Sequence, residues 1–197
     1  MAEAKSTQKA ELQTRHSVSR QPSPYLGWVT VGFIVVTLLG LVILWLTGYF
    51  SLPGEAVRIL GRKHYAQGDI LSYNSKPPTS GLHYADRIAD WGIHYEKIDE
   101  LLQVSNLEKG GVIITYRPKG NPVLPDPDRD QLEKFVKRLR SEANYCKLIL
   151  ARWGDLHKKI VVTAWGRIDK MDSYDELRLM RFIDAYINRG PENAPCL

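Results

Sequence analysis

The residues able to do chemistry in this chain are few and scattered. Among its 197 residues are five histidines and two cysteines. His64, His83 and His94 are the imidazole candidates, and Glu108 offers a carboxylate. Imidazole ligands suit copper, zinc or iron. No two of these residues form a compact word such as H-E-x-x-H. Two readings follow. In the first, one histidine is buried and hydrogen-bonded in a proline-rich turn, the others lie on the surface, and no cofactor is held. In the second, His64, His83 and Glu108 converge on a single transition-metal ion.

Other catalytic chemistry finds little support. Ser75, Ser80 and Ser105 lie near His64 or His83 in the chain, but no G-x-S-x-G elbow exposes any of them. Gly110 and Gly111 precede a strand, whereas a phosphate-binding loop needs a helix N-terminus. Asp126, Asp128 and Asp130 alternate like a calcium loop but lack its glycine and closing glutamate, so helix capping explains them better. Thr79, Ser80 and Asn74 are expected to tie down the turn around Pro77 and Pro78 through side-chain to backbone bonds. No catalytic nucleophile or acid–base pair is assigned, and a non-enzymatic role is favoured. Cys146 and Cys196 make neither a disulfide framework nor a zinc site. Cys146 reads as a buried strand thiol, with a disulfide to Cys196 as the alternative in an oxidising compartment.

The elements that would position these residues follow from periodicity. Gly111–Arg117 is a β-branched run between glycines and Pro118, hence a strand. Asp128 and Gln131 make a capping box before the stripe Leu132, Phe135, Val136, Leu139, an amphipathic helix. Lys147–Trp153 and Ile160–Trp165 read as strands close enough to pair as a hairpin. Ser173 and Glu176 open a last helix whose stripe is Leu177, Met180, Ile183, Ile187 and which stops at Gly190 and Pro191. Trp153 and Trp165, each followed by glycine, read as core aromatics at strand ends. Residues 55–110 look loop-rich, with a short helix near Asp86–Asp90 that turns Ile88 and Trp91 inward. The expected fold is α+β: a small mixed sheet packed with two helices, behind a loop-rich N-terminal half.

No charged residue occurs between Arg20 and Glu55, and the interval is almost wholly apolar, with Tyr25 and Trp28 at one end and Trp45, Tyr49 and Phe50 at the other. About 20 helical residues cross a bilayer, and aromatic rings settle at its interfaces. Three segments are therefore expected: a disordered cytoplasmic tail over 1–24, a transmembrane helix over 25–50 and an α+β domain over 51–197. A cleaved signal peptide would have a shorter apolar run and an A-x-A site. Four basic residues precede the helix and three closely follow it, so the N-terminus is expected in the cytoplasm and the domain outside it. Gly32 and Gly40 fall near one helix face, where a partner helix could approach. The net charge of +5 divides into +2 over the first 50 residues and +3 over the rest. That nearly balanced surface lacks the basic footprint of a nucleic-acid binder.

Four words bring a resemblance. They are Tyr73–His83 (YNSKPPTSGLH), Leu107–Tyr116 (LEKGGVIITY), Ala164–Arg167 (AWGR) and the Phe182, Ile183 helix before Pro191 and Glu192. Within them stand Tyr73, Asn74, Pro77, Pro78, Thr79, Ser80, Gly81, Gly110, Trp165 and Gly166. Over about residues 58–192 the chain resembles a bacterial membrane-anchored family catalogued as domain of unknown function 3105. The resemblance implies kinship, often with one N-terminal apolar segment, and no established activity. It also implies histidine at the positions of Lys109 and Ser105, which with His83 would make three neighbouring imidazoles. Here two of those positions hold a cation and a hydroxyl, and a protonated lysine repels a bound cation. The leading expectation is accordingly a non-enzymatic accessory subunit that docks on a larger membrane protein complex. The alternative is a membrane-tethered, copper-type metal-binding protein serving an electron-transfer chain.

Overall fold

The structure, a computed structural model, describes residues 24–46 and 51–192. The chain forms two compact units that divide after Ser51. In the first, helix α1 (Pro24–Leu46) carries no acidic residue in its first turn and no basic residue in its last. Its stretch Gly27–Trp45 is long and apolar enough to cross a membrane, and the large apolar side chains described there are exposed. Residues 47–50, the end of the expected transmembrane run, lie outside the described residues, as do the tail 1–23 and Cys196.

The second unit is α+β. Its six strands are β1 (Glu55–Ala56), β2 (Gly92–His94), β3 (Val112–Tyr116), β4 (Leu148–Arg152), β5 (Ile160–Ala164) and β6 (Arg167–Met171). They form one mixed sheet in the order β1-β6-β5-β3-β4-β2. β3 pairs parallel with β4 and antiparallel with β5. The expected β4–β5 hairpin is therefore corrected: β3 lies between the two strands, because parallel pairing with β4 follows from the crossover through helix α3 (Asp126–Arg140). The hairpin that does form is β5–β6, turned at Trp165 and Gly166. Gly166 holds φ +66, a left-handed position that an L side chain rarely takes.

Both faces of the sheet are covered, and this accounts for the unbroken apolar runs of the central strands. On one face Val112, Ile114 and Tyr116 pack with Leu132, Phe135, Val136 and Leu139 of α3 and with helix α4 (Glu176–Tyr186). On the other, Ile113 and Ile149 pack with Ala89, Ile98 and Leu107. Leu107 belongs to helix α2 (Glu100–Glu108), a third helix in the segment expected to be loop. Asp99 caps it, its carboxylate accepting from the N–H groups of Leu101 and Leu102.

Four local expectations are also corrected. No helix forms at Asp86–Asp90, because the Asn106 amide pairs with both the N–H and the C=O of Ala89 in place of intrahelical partners. The capping boxes do not form: α3 starts at Asp126 after Pro125 without a side-chain cap, and α4 is capped by Asp175, which accepts from Arg178 N. The buried face of α4 is Leu179, Phe182 and Ile183, while Leu177 is 78 % exposed. Cys146 is half-buried in the turn before β4, not a strand residue, and is not a free thiol.

Candidate metal site

The family word at Tyr73–His83 builds a proline turn whose second half is buried. Pro77, Pro78, Thr79, Ser80, Gly81 and His83 are all inaccessible. The Tyr73 hydroxyl closes the turn by donating to Leu82 O at 2.8 Å. Burial pushes that phenol well above its ordinary value. The polar residues of the turn chiefly hold the neighbouring extended segment, residues 57–66. Asn74 Nδ2 donates to Arg58 O, Ser80 Oγ accepts from Leu60 N, and Tyr65 N donates to His83 O. Gly166 adds two bonds, accepting from Val57 N and donating to Thr79 O. His64 and His83 face each other in a parallel bridge, with ring centroids 5.1 Å apart.

The third component comes from α2. Its last residue, Glu108, is buried with its side chain 3 % exposed. Ser105 fixes the helix against the turn, accepting from Tyr84 N, with its one hydroxyl proton within reach of Tyr84 O and Leu101 O. The last residue of the helix thus brings its carboxylate to His83.

His83, His64 and Glu108 each offer a ligand atom, and these atoms lie within 4.8 Å of one another. His83 Nδ1 is 2.8 Å from Gly81 O. A carbonyl only accepts, so Nδ1 carries a proton, and it is at Nε2 that the ring would present a lone pair to an ion. Nε2 is fully buried and lies 2.7 Å from Glu108 Oε2, an ion-pair distance when the ring is protonated, yet the two atoms lack hydrogen-bond alignment and Nε2 makes no hydrogen bond. A buried acceptor close to a carboxylate oxygen fits a shared cation, and a histidine whose other nitrogen is held by a carbonyl is the usual oriented ligand. Two ligands on one ion at about 2.1 Å can be separated by up to about 4.2 Å. The exposed His64 ring can supply the small closure that the widest pair needs.

Two residues that the sequence reading passed over complete the cluster. Arg62 Nε donates to Glu108 Oε1 at 2.7 Å, and its Nη2 reaches Glu192 Oε1 at 3.2 Å. Lys109 Nζ donates to Glu192 Oε2 at 2.9 Å. That bond, with the nearby cations, holds the Glu192 carboxyl below its ordinary value. The bond to Glu108 raises the Arg62 guanidinium in turn. Arg62 was legible as a neighbour of His64, because residues two apart in an extended segment share a face. Trp165 stands beside the site, its ring 6.2 Å from that of His83.

The remaining candidates lie apart or serve structure. His94 is on β2, its Nε2 2.7 Å from Asp90 O. Ser75 bonds Thr79 Oγ1. Asp126 pairs with Arg129 within the first turn of α3. Trp153 is buried beneath Lys97 Nζ. Gly110 joins α2 to β3 with φ +82.

The family model described as Protein of unknown function (DUF3105) matches residues 64–197. The chain belongs to this family. Both histidines of the cluster, Glu108 and Glu192 fall inside the family match, whereas Arg62 lies just before it. No curated protein and no solved structure matches the chain.

Proposed function

We propose that this protein is a membrane-anchored transition-metal-binding protein, its domain held outside the cytoplasm by α1 and its ion held by His83, His64 and Glu108. The observation that carries the reading is the buried Nε2 of His83, which makes no hydrogen bond and lies 2.7 Å from Glu108 Oε2. Two imidazoles and one carboxylate are a donor set that copper, zinc and iron accept. Supply of copper to an electron-transfer chain is the use that fits a tethered, three-ligand site with one exposed ligand. Metal analysis of the full chain purified in detergent tests it. One ion per chain is expected after loading with copper or zinc, lost in His83→Ala. No ion under either loading condition overturns it.

A second reading has its own support. Ser105 and Lys109 spend their polar atoms on structural bonds, so positions at which relatives are expected to carry imidazole hold none here. This favours an accessory subunit of a larger membrane complex, with α1 packing against partner helices in the bilayer. Extraction of native membranes in mild detergent decides it: co-migration with a large complex is expected, and migration alone removes the idea.

A further inference from the structure

We propose that Arg62 sets the charge preference of this site, turning it toward a monovalent ion, Cu(I), and against Zn(II). The inference rests on the metal-binding reading and concerns which ion the site takes. Glu108 divides its two oxygens: Oε1 accepts from Arg62 Nε at 2.7 Å, while Oε2 faces His83 Nε2 at 2.7 Å. An ion bound at Oε2 therefore sits across a single carboxylate from a guanidinium. The Glu108 side chain is 3 % exposed and that of Arg62 50 % exposed, so solvent on the arginine side screens the repulsion in part without abolishing it. Arginine cannot relieve it by losing a proton.

Among the described residues the surrounding charges leave no spare anion. Glu192 is shared between Arg62 and Lys109, so two carboxylates face two basic side chains, and these four charges balance before any ion enters. Every charge the ion brings is uncompensated. Coulomb repulsion by Arg62 is proportional to the ion's charge, so a dication meets twice the penalty of a monocation at the same position. Arg62 is placed to act this way because it shares the extended segment that carries His64.

The test compares Cu(I) and Zn(II) affinities of the full chain in detergent under anaerobic conditions, by competition with chromogenic chelators. Arg62→Gln is expected to strengthen Zn(II) binding about tenfold and Cu(I) binding about threefold, since the logarithms follow the charge ratio. Arg62→Lys, which keeps the charge, should retain the wild-type ratio of the two affinities. Equal changes for both ions, or weaker binding of both, overturns the proposal and leaves Arg62 a positioning residue that orients the carboxylate. Failure of the metal reading looks different: wild-type protein then shows no His83-dependent affinity for either ion.

Discussion

Gly190 packs directly on the end of the helix that carries Glu108. A Cβ at Gly190 would stand 2.2 Å from Glu108 O and 2.2 Å from Gly110 N, both backbone atoms that no rotamer change can move. The contact is reinforced by Glu192 N donating to Glu108 O and Asn188 N donating to Gly110 O. The chain after α4 thus clamps the carboxylate-bearing end of α2, and brings Glu192 to Arg62 and Lys109.

Replacing Gly190 by alanine should therefore destabilise the domain by about 1–3 kcal/mol, the usual range for overpacking a filled site. Urea unfolding measures it. Unchanged stability would mean that the clamp is loose.

The two leucines at the start of α4 should separate cleanly. Leu179 is fully buried against the sheet, so Leu179→Ala is expected to lose about 2–5 kcal/mol. Leu177 is 78 % exposed, and Leu177→Ala should stay within about 0.5 kcal/mol. Comparable losses at both positions would place α4 in the other helical register.

Lys147 is buried, 2 % exposed, and donates to Lys109 O at 2.9 Å. Burial holds its ammonium below the ordinary 10.5. Between the native value and 10.5 the unfolded chain binds more protons than the folded one, so stability rises with pH through that window. Lys147→Met should remove this rise. Unfolding curves from about pH 7 to about pH 10 check it; an unchanged slope in the variant rules out Lys147 as its source.

Glu192 gives the opposite end of the pH scale. Its carboxyl is held below the ordinary 4.5 by Lys109, with Arg62 and His64 adding to the effect. Its contribution is complete above 4.5 and is lost as pH falls through the depressed native value. Glu192→Gln should flatten the acid limb of the stability curve below about pH 4.5. The magnitude is small, because exposed pairs of this kind contribute about 0–1 kcal/mol. A wild-type acid limb in the variant would detach Glu192 from the clasp.

Replacing Glu108 by glutamine keeps its shape but removes the charge that both Arg62 and an ion require. Metal affinity should fall by about 100-fold or more. Quenching of Trp165, whose ring is 6.2 Å from His83, offers a direct readout of binding. Full affinity in the variant would exclude Glu108 as a ligand.

Much of the scaffold was legible from residue patterns alone. The apolar run of α1, the β-branched strand β3 and the four buried residues of α3 follow from local periodicity, because a side chain's face is set by 3.6-residue or two-residue repeats. His64, His83 and Glu108 could be named as candidates by side-chain chemistry. Their meeting could not, since it depends on a parallel bridge between distant segments and on α2, a short helix whose polar face at Ser105 and Asn106 is buried against backbone and leaves little periodic signal. The position of β3 between β4 and β5 was likewise decided by the crossover through α3, not by distance along the chain. Residue types determined what chemistry was available. Only the tertiary structure decided that Arg62 and Glu192 share it, because long-range ion pairs depend on which surfaces the packed sheet brings together.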